Sequence, residues 1–307
     1  MTRFDVALVV GASRGLGLLI AADLIQRGYR VAIAARDQDE LGAAIDRLGP
    51  LAHPYVCDVR DHDQVVALVG AVEDELGPIE VSVHVAGIIQ VGPVADLTLA
   101  QFDDAIATML KGPIEVAWAV LPGMRHRGRG RIGTVASVGG MVAPPHLLPY
   151  ATAKFGVVGF SDGLAAELAG TGVTATTIVP GLMRTGSHLQ AEFFGDAARE
   201  YAWFAPAASL PLLSMDAERA ARRIVAAVLA GKPFLSTTPL TWLAIRFRGL
   251  APATTTRLMK VVARLLPSAT GASGTVQGAT ARNDLASPLV DTLTTLGDAA
   301  AHRNNEV

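Results

Sequence analysis

Ser137, Tyr150 and Lys154 are the residues whose types and spacing could move a proton to or from a carbonyl oxygen. Tyr150 and Lys154 stand four apart in Tyr150-Ala151-Thr152-Ala153-Lys154, which on a helix puts both side chains on one face, one turn apart. A phenol titrates at about pH 10. A cation close by favours the phenolate and lowers that value, so that proton exchange with a carbonyl oxygen becomes feasible near neutrality. Ser137 follows the apolar run 131–136, read as a buried strand, and so sits at its carboxyl end, where open α/β sheets bind ligands. A Tyr-x-x-x-Lys pair also occurs on ordinary surface helices, so the surrounding elements must decide.

Those elements alternate from the start. Residues 4–10 form an apolar run read as the first strand. Gly11-Ala12-Ser13-Arg14-Gly15-Leu16-Gly17 follows directly and opens a helix to about residue 27. Glycines at 11, 15 and 17 permit a tight turn and a close approach of backbone to a pyrophosphate, and the helix start offers free N–H groups. The second strand, 30–35, ends at Arg36. An acid there suits a ribose hydroxyl, whereas an arginine suits a 2′-phosphate. With Arg14 able to reach the same phosphate, NADP(H) is favoured and NAD(H) stays open. Asp37, next to Arg36, could partly neutralise it. The third strand, 53–57, closes on Asp58-Val59; Asp58 could accept from an adenine amino group or cap the helix at 61–76. The fourth, 79–85, closes on Ala86-Gly87, small enough to let a cofactor cross the sheet. A long helix at 99–125 with Gly112-Pro113 inside it, the Ser137 strand, a helix at 148–170, a strand at 173–179 followed by Pro180-Gly181, a helix at 216–230 and a short strand at 233–236 complete the pattern. Strand–helix alternation without internal repeat predicts a Rossmann-type, doubly wound parallel α/β sheet with helices on both faces.

Taken together, the glycine turn, the Ala86-Gly87 strand end, Ser137 with Tyr150 and Lys154, and Pro180-Gly181 with Thr185 make residues 4–236 resemble the short-chain dehydrogenase/reductase family. The resemblance implies a seven-stranded sheet, a nicotinamide cofactor, Tyr150 as general acid/base, Lys154 on the nicotinamide ribose and tuning the tyrosine, Ser137 positioning the substrate carbonyl, and Thr185 on the carboxamide. It also implies a homodimer or homotetramer built across the long helices. Two positions depart from the family pattern. His84-Val85 stands where the family usually has two asparagines, and Met109 stands where an asparagine usually completes a proton relay to the lysine. Pro113 lacks an N–H, so in an α-helix the Met109 carbonyl loses its partner and could hold a relaying water instead.

The expected activity is hydride transfer between NADP(H) and a ketone or secondary alcohol. Phe193, Phe194, Tyr201, Trp203 and Phe204 crowd into 186–215, either as a lid over a bulky apolar substrate or as plain packing. Residues 237–267 read as a basic amphipathic helical extension. Arg246, Arg248, Arg257, Lys260 and Arg264 come with no acid across 240–266, as suits peripheral contact with an anionic membrane, or docking on a partner or on the chain's own core. Residues 268–307 are expected to be weakly ordered, with 289–296 helical. Competing readings are a catalytically impaired cofactor-binding scaffold, on the evidence of Met109 and Val85, and a membrane-surface binding protein.

Composition sets bounds on these readings. Half of the 307 residues are hydrophobic and 18% are charged, enough for a large core. A net charge of −2 gives no reason to expect a nucleic-acid partner. Cys57 is the only cysteine, so no internal disulfide can form, and no metal ligand set is assigned. Neither a leader-like apolar start nor a spanning segment is read, so a cytoplasmic location is expected.

Overall fold

Val6–Val10 (β1) is five consecutive apolar residues, all buried, as a strand covered on both faces requires. A computed structural model describes residues 5–306 except 212 and 273, so position 4 of the expected first strand lies outside the described residues. The chain continues through Gly15–Gln26 (α1), Arg30–Ala35 (β2), Gln38–Leu48 (α2), Ala52–Val56 (β3), His62–Glu75 (α3), Ile79–His84 (β4) and the short Gln90–Val91 (β5). Leu99–Ile106 (α4), a π-helical turn at Ala107–Lys111 and Gly112–Arg127 (α5) follow, then Gly130–Val135 (β6), Leu148–Glu167 (α6), Val173–Val179 (β7) and Leu182–Arg184 (β8). Glu192–Phe193 (β9), Ala197–Ser209 (α7), Ser214–Asp216 (β10), Ala217–Leu229 (α8) and Phe234–Ser236 (β11) come next. Pro239–Leu250 (α9), Pro252–Ala263 (α10), Val276–Gln277 (β12), Gly278–Leu285 (α11) and Pro288–Arg303 (α12) end the chain.

Seven strands form one sheet in the order β11-β7-β6-β4-β1-β2-β3, with every pairing parallel. The chain leaves β1 toward β2 and β3, then crosses back to β4 on the other side. The switch point therefore lies between the carboxyl ends of β1 and β4, where such sheets bind ligands. One face is covered by α3, α5 and α6 through Val65, Leu68, Val116, Val120 and Leu164. The other is covered by α1, α2 and α8 through Ile20, Leu24, Leu41, Ile224 and Val228. Asp37 caps α2 by accepting from the Glu40 N–H at 2.9 Å, and Asp61 caps α3 in the same way.

Three features differ from the sequence expectations. The long helix is not a simple proline kink: the Gly112 N–H reaches the Ala107 carbonyl, one residue beyond the α register. In that longer register the position opposite Pro113 is Thr108, not Met109, so the orphan carbonyl expected at Met109 does not follow. The basic extension is two helices, α9 and α10, broken where Pro252 cannot continue the first. Finally, the stretch expected to be weakly ordered forms β12, α11 and α12. Both helices pack on α7, and β12 pairs with β9, which also pairs with β5.

Candidate active site

A cleft of about 680 Å³ opens at the switch point, and every cofactor or catalytic residue assigned from the sequence lines it. Its floor at one end is the glycine turn. Gly11 has φ 84° and Gly15 φ 56°. A Cβ at Gly17 would strike the Gly11 carbonyl, and one at Gly11 would strike the Ala86 backbone. The first turn thus lies directly against the end of β4, with no side chain of its own over the backbone at Gly11, Gly15 and Gly17. This cradle, at one end of a cleft of that volume, fits a dinucleotide.

The charged residues at that end are not all free. Arg36 is exposed beyond β2 and makes no ion pair among the described residues. Asp37 does not neutralise Arg36 through a bond; it is spent on the α2 cap. Arg14, expected to reach a 2′-phosphate, is instead bonded to Glu40 at 2.6 Å, and Ser13 Oγ donates to the same carboxylate at 2.7 Å. Asp58 does not cap α3, a role that Asp61 fills; it lines the cleft, held by the Arg60 guanidinium and backbone N–H, and the Arg60 hydrogen bond keeps its carboxyl below the usual range. Val59 is buried against the position where a Gly112 Cβ would lie.

At the other end, α6 carries Tyr150 and Lys154 one turn apart, as the spacing predicts. Lys154 is 4% exposed and donates to the Val135 carbonyl at 2.8 Å, at the end of β6, with its amine 5.8 Å from the Tyr150 ring centre. Burial lowers the Lys154 ammonium to about 8. Burial also raises the Tyr150 phenol above its ordinary value, with the Ser137 hydroxyl acting in the opposite direction. The expected lowering of the phenol by the lysine is therefore not found: the ammonium is directed to a carbonyl and desolvation dominates. Ser137 Oγ accepts from the Gly139 N–H at 3.0 Å and opens the short turn Val138–Gly140. Side chains at Gly139 or Gly140 would collide with Tyr150 or with the Lys154 backbone, so these glycines let the serine loop lie on α6. Pro180 closes the same corner, its carbonyl accepting from the Val138 N–H at 2.8 Å, and Thr185 is buried just past β8.

Behind Lys154, two of the departures from the family pattern, Met109 and His84, are buried. Met109 is buried against Ala105 and Ala153. Its sulfur lies 3.4 Å from where a Gly87 Cβ would be. His84 is buried with neither ring nitrogen in hydrogen-bonding geometry, and the Thr108 hydroxyl is likewise unpartnered. Desolvation first, then repulsion from Lys154, pushes the His84 imidazole down to about 3, so it is neutral near pH 7.

Beyond Tyr150 the cleft is apolar, lined by Ile88, Ile89, Pro144, Leu147, Phe204 and Ala208. The aromatic cluster is mainly packing: Phe193, Phe194, Tyr201 and Phe204 are buried, with Phe193 edge-on to both Tyr201 and Phe204. Only Phe204 of the five reaches the cleft. The loop before α6 is tied to α7, because His146 and the Trp203 indole both bond the fully buried Glu200.

Two site residues escape sequence reasoning. Glu40 pairs with Arg14 across 26 positions. Glu306 lines the cleft beside Gly15 and comes from the segment after α12, for which no local motif exists.

Comparison with known proteins agrees with this geometry. Residues 5–192 match the family model described as short chain dehydrogenase. A putative ketoacyl reductase of Streptomyces coelicolor is 41% identical over 186 residues, 59% of this chain and 71% of that protein. The 3-oxoacyl-[acyl-carrier-protein] reductase of Vibrio cholerae is 36% identical over 180 residues, covering 59% and 74%. Among solved structures, a single-substitution variant of actinorhodin polyketide ketoreductase with NADPH superposes with a TM-score of 0.67 at 32% identity, covering 76% of this chain and 95% of that one. A short-chain dehydrogenase from Streptomyces avermitilis gives 0.73 at 25% identity, covering 86% and 98%.

Proposed function

The chain belongs to the short-chain dehydrogenase/reductase family of oxidoreductases, and from that premise we propose that it reduces a bulky, apolar ketone with NADPH, or runs the reverse oxidation of the secondary alcohol. The observation that carries this reading is the continuous cleft that joins the glycine turn to Tyr150 and then to an apolar wall. The cofactor, when bound, supplies or accepts the hydride.

The chain's own residues do the rest. Ser137 orients the carbonyl oxygen toward Tyr150. The phenol, kept protonated by burial, donates its proton as negative charge develops on that oxygen. Lys154, anchored on Val135, holds a cation at the buried end of the cleft, where it stabilises the phenolate that proton transfer leaves behind. The apolar wall excludes water from the reacting carbon. Arg36, exposed and unpaired at the end of β2 among the described residues, favours the 2′-phosphate of NADP(H). A turnover screen with NADPH against ketones of graded size tests the reading. Rates rising with apolar bulk support it; turnover confined to small polar carbonyls, or found only with NADH, overturns it.

The same reading extends to where the enzyme works. No described helix is long and apolar enough to cross a membrane. However, α9 and α10 bear Leu240, Leu243, Phe247, Leu250 and Leu258 exposed, and Leu265 just beyond them, up to 89% at Leu250. The five cations of 240–266 have no acid among them, and Arg246 stacks on the exposed Trp242 at 3.9 Å. Because α9 also packs near the serine loop through Ile245, an anionic bilayer under this hairpin would lie near that loop. Sedimentation with phosphatidylserine vesicles, lost in Phe247→Glu and at high salt, is the expected outcome. In a cell this chain would then be cytoplasmic and peripheral. Exposed Trp118 on α5 and Phe155 on α6 suit a homodimer or homotetramer across the long helices, and Trp118→Glu should release monomers in sedimentation velocity.

A further inference from the structure

The segment after α12 lies on the glycine turn itself. The Gly15 N–H, one of the amides that opens α1, donates to the Asn304 carbonyl at 2.7 Å. The Asn305 amide donates to the Ser13 carbonyl at 2.9 Å and to the Glu40 carbonyl at 3.3 Å. Glu306 is 5% exposed. Its Oε1 lies 2.5 Å from where a Gly15 Cβ would be, and its Oε2 is 3.4 Å from Arg14 Nε without hydrogen-bonding geometry. Three further contacts hold the segment in place. The Asn304 amide bonds the Thr185 carbonyl, the Gln190 amide bonds the Glu306 carbonyl, and Arg47 bonds the carbonyls of His302 and Arg303.

A helix N-terminus behind a glycine turn attracts an anion through its free N–H groups and dipole. Here the chain itself puts a carbonyl on one of those amides and a buried carboxyl group beside it. A pyrophosphate cannot occupy the same amides while this segment is docked. We propose that residues 304–306 are a built-in competitor of the dinucleotide for the glycine turn, so that cofactor binding requires their release. The Thr185 tie extends the competition to the far end of the cleft, because releasing Asn304 also frees the strand end assigned to the carboxamide. Competition of this kind weakens the apparent affinity by the fraction of molecules whose turn is open.

This inference rests on the glycine turn being a dinucleotide site, so the experiment separates the two. NADPH is titrated by fluorescence into the full chain, a chain ending at Arg303, and Glu306→Gly in the full chain, which keeps the helix and its Thr185 tie. Hydrogen exchange of 300–306 is followed with and without NADPH. The expected result is roughly tenfold or more tighter binding by both variants, with exchange in 300–306 accelerated by NADPH in the full chain. Equal affinities, or a segment protected further by NADPH, overturn the competition while leaving the cofactor site intact. Absence of NADPH and NADH binding in all three chains overturns both readings together.

Discussion

Arg14 and Glu40 are joined at 2.6 Å in the lining of the cleft, whereas Arg36 is exposed and makes no ion pair among the described residues. Arg36→Asp should therefore lower the NADPH-to-NADH preference by roughly 10–100-fold, replacing attraction with repulsion. Glu40→Gln should do the opposite on a smaller scale, strengthening NADPH binding about twofold to fivefold, because the pair is partly exposed and worth little. Both effects are read from dissociation constants for the two cofactors. An unchanged ratio in Arg36→Asp would mean that the arginine is merely solvated.

Tyr150→Phe should cut turnover by about a hundredfold to ten-thousandfold with NADPH affinity nearly intact, since the ring still packs and only the transferable proton is lost. Lys154→Met should weaken both. It should also stabilise the fold at neutral pH. The Lys154 ammonium falls from 10.5 to about 8 on burial, so the unfolded chain holds its proton more firmly. The resulting destabilisation is complete below pH 8 and is relieved as pH rises toward 10.5. Thermal melts of the two chains should diverge at pH 7 and converge at high pH. Identical melts throughout would place the burial cost elsewhere.

Local, contiguous features of this site were legible in the sequence, and features made by distant contacts were not. Tyr150 and Lys154 share a helical face, and the glycines of 11–17 sit between a strand and a helix, so their arrangement follows from spacing alone. Gly112-Pro113 announced a break, but not that the Gly112 N–H would slip to Ala107. Arg14 looked free because its partner lies 26 positions away. The Ala-, Thr- and Ser-rich end of the chain looked weakly ordered, because composition does not reveal that Asn305 meets Ser13 across 292 positions.

His84 should be dispensable for stability. It is buried with neither ring nitrogen in good hydrogen-bonding geometry, and the Ala86 and Thr108 backbone only partly offset the desolvation of its ring. His84→Leu should be neutral to stabilising at pH 7. The folded imidazole titrates at about 3 against an ordinary 6.5, so the unfolded chain binds the proton first and stability falls as pH drops through that window. The variant should show a shallower loss of stability across that range in urea titrations. A variant that follows the wild-type acid curve would show that the imidazole is paired after all.

Docking of residues 304–306 should depend on pH through Glu306. Burial, with Glu40 adding to it and Arg14 opposing it, raises this carboxyl from 4.5 to about 7. The docked segment therefore holds its proton where the released one has lost it. Docking is strongest below pH 4.5, weakens as pH rises to about 7, and levels off once both states are ionised. Arg14 and Glu40 are the charged groups that face it, so Glu40→Gln should shift the transition downward. Hydrogen exchange of 300–306, corrected for intrinsic rates, should accelerate between about pH 5 and 7, whereas Glu306→Gln, which cannot ionise, should show no step. If that variant follows the wild-type curve, the carboxyl does not govern docking, and the hydrogen bonds to Gly15 and Thr185 must hold the segment by themselves.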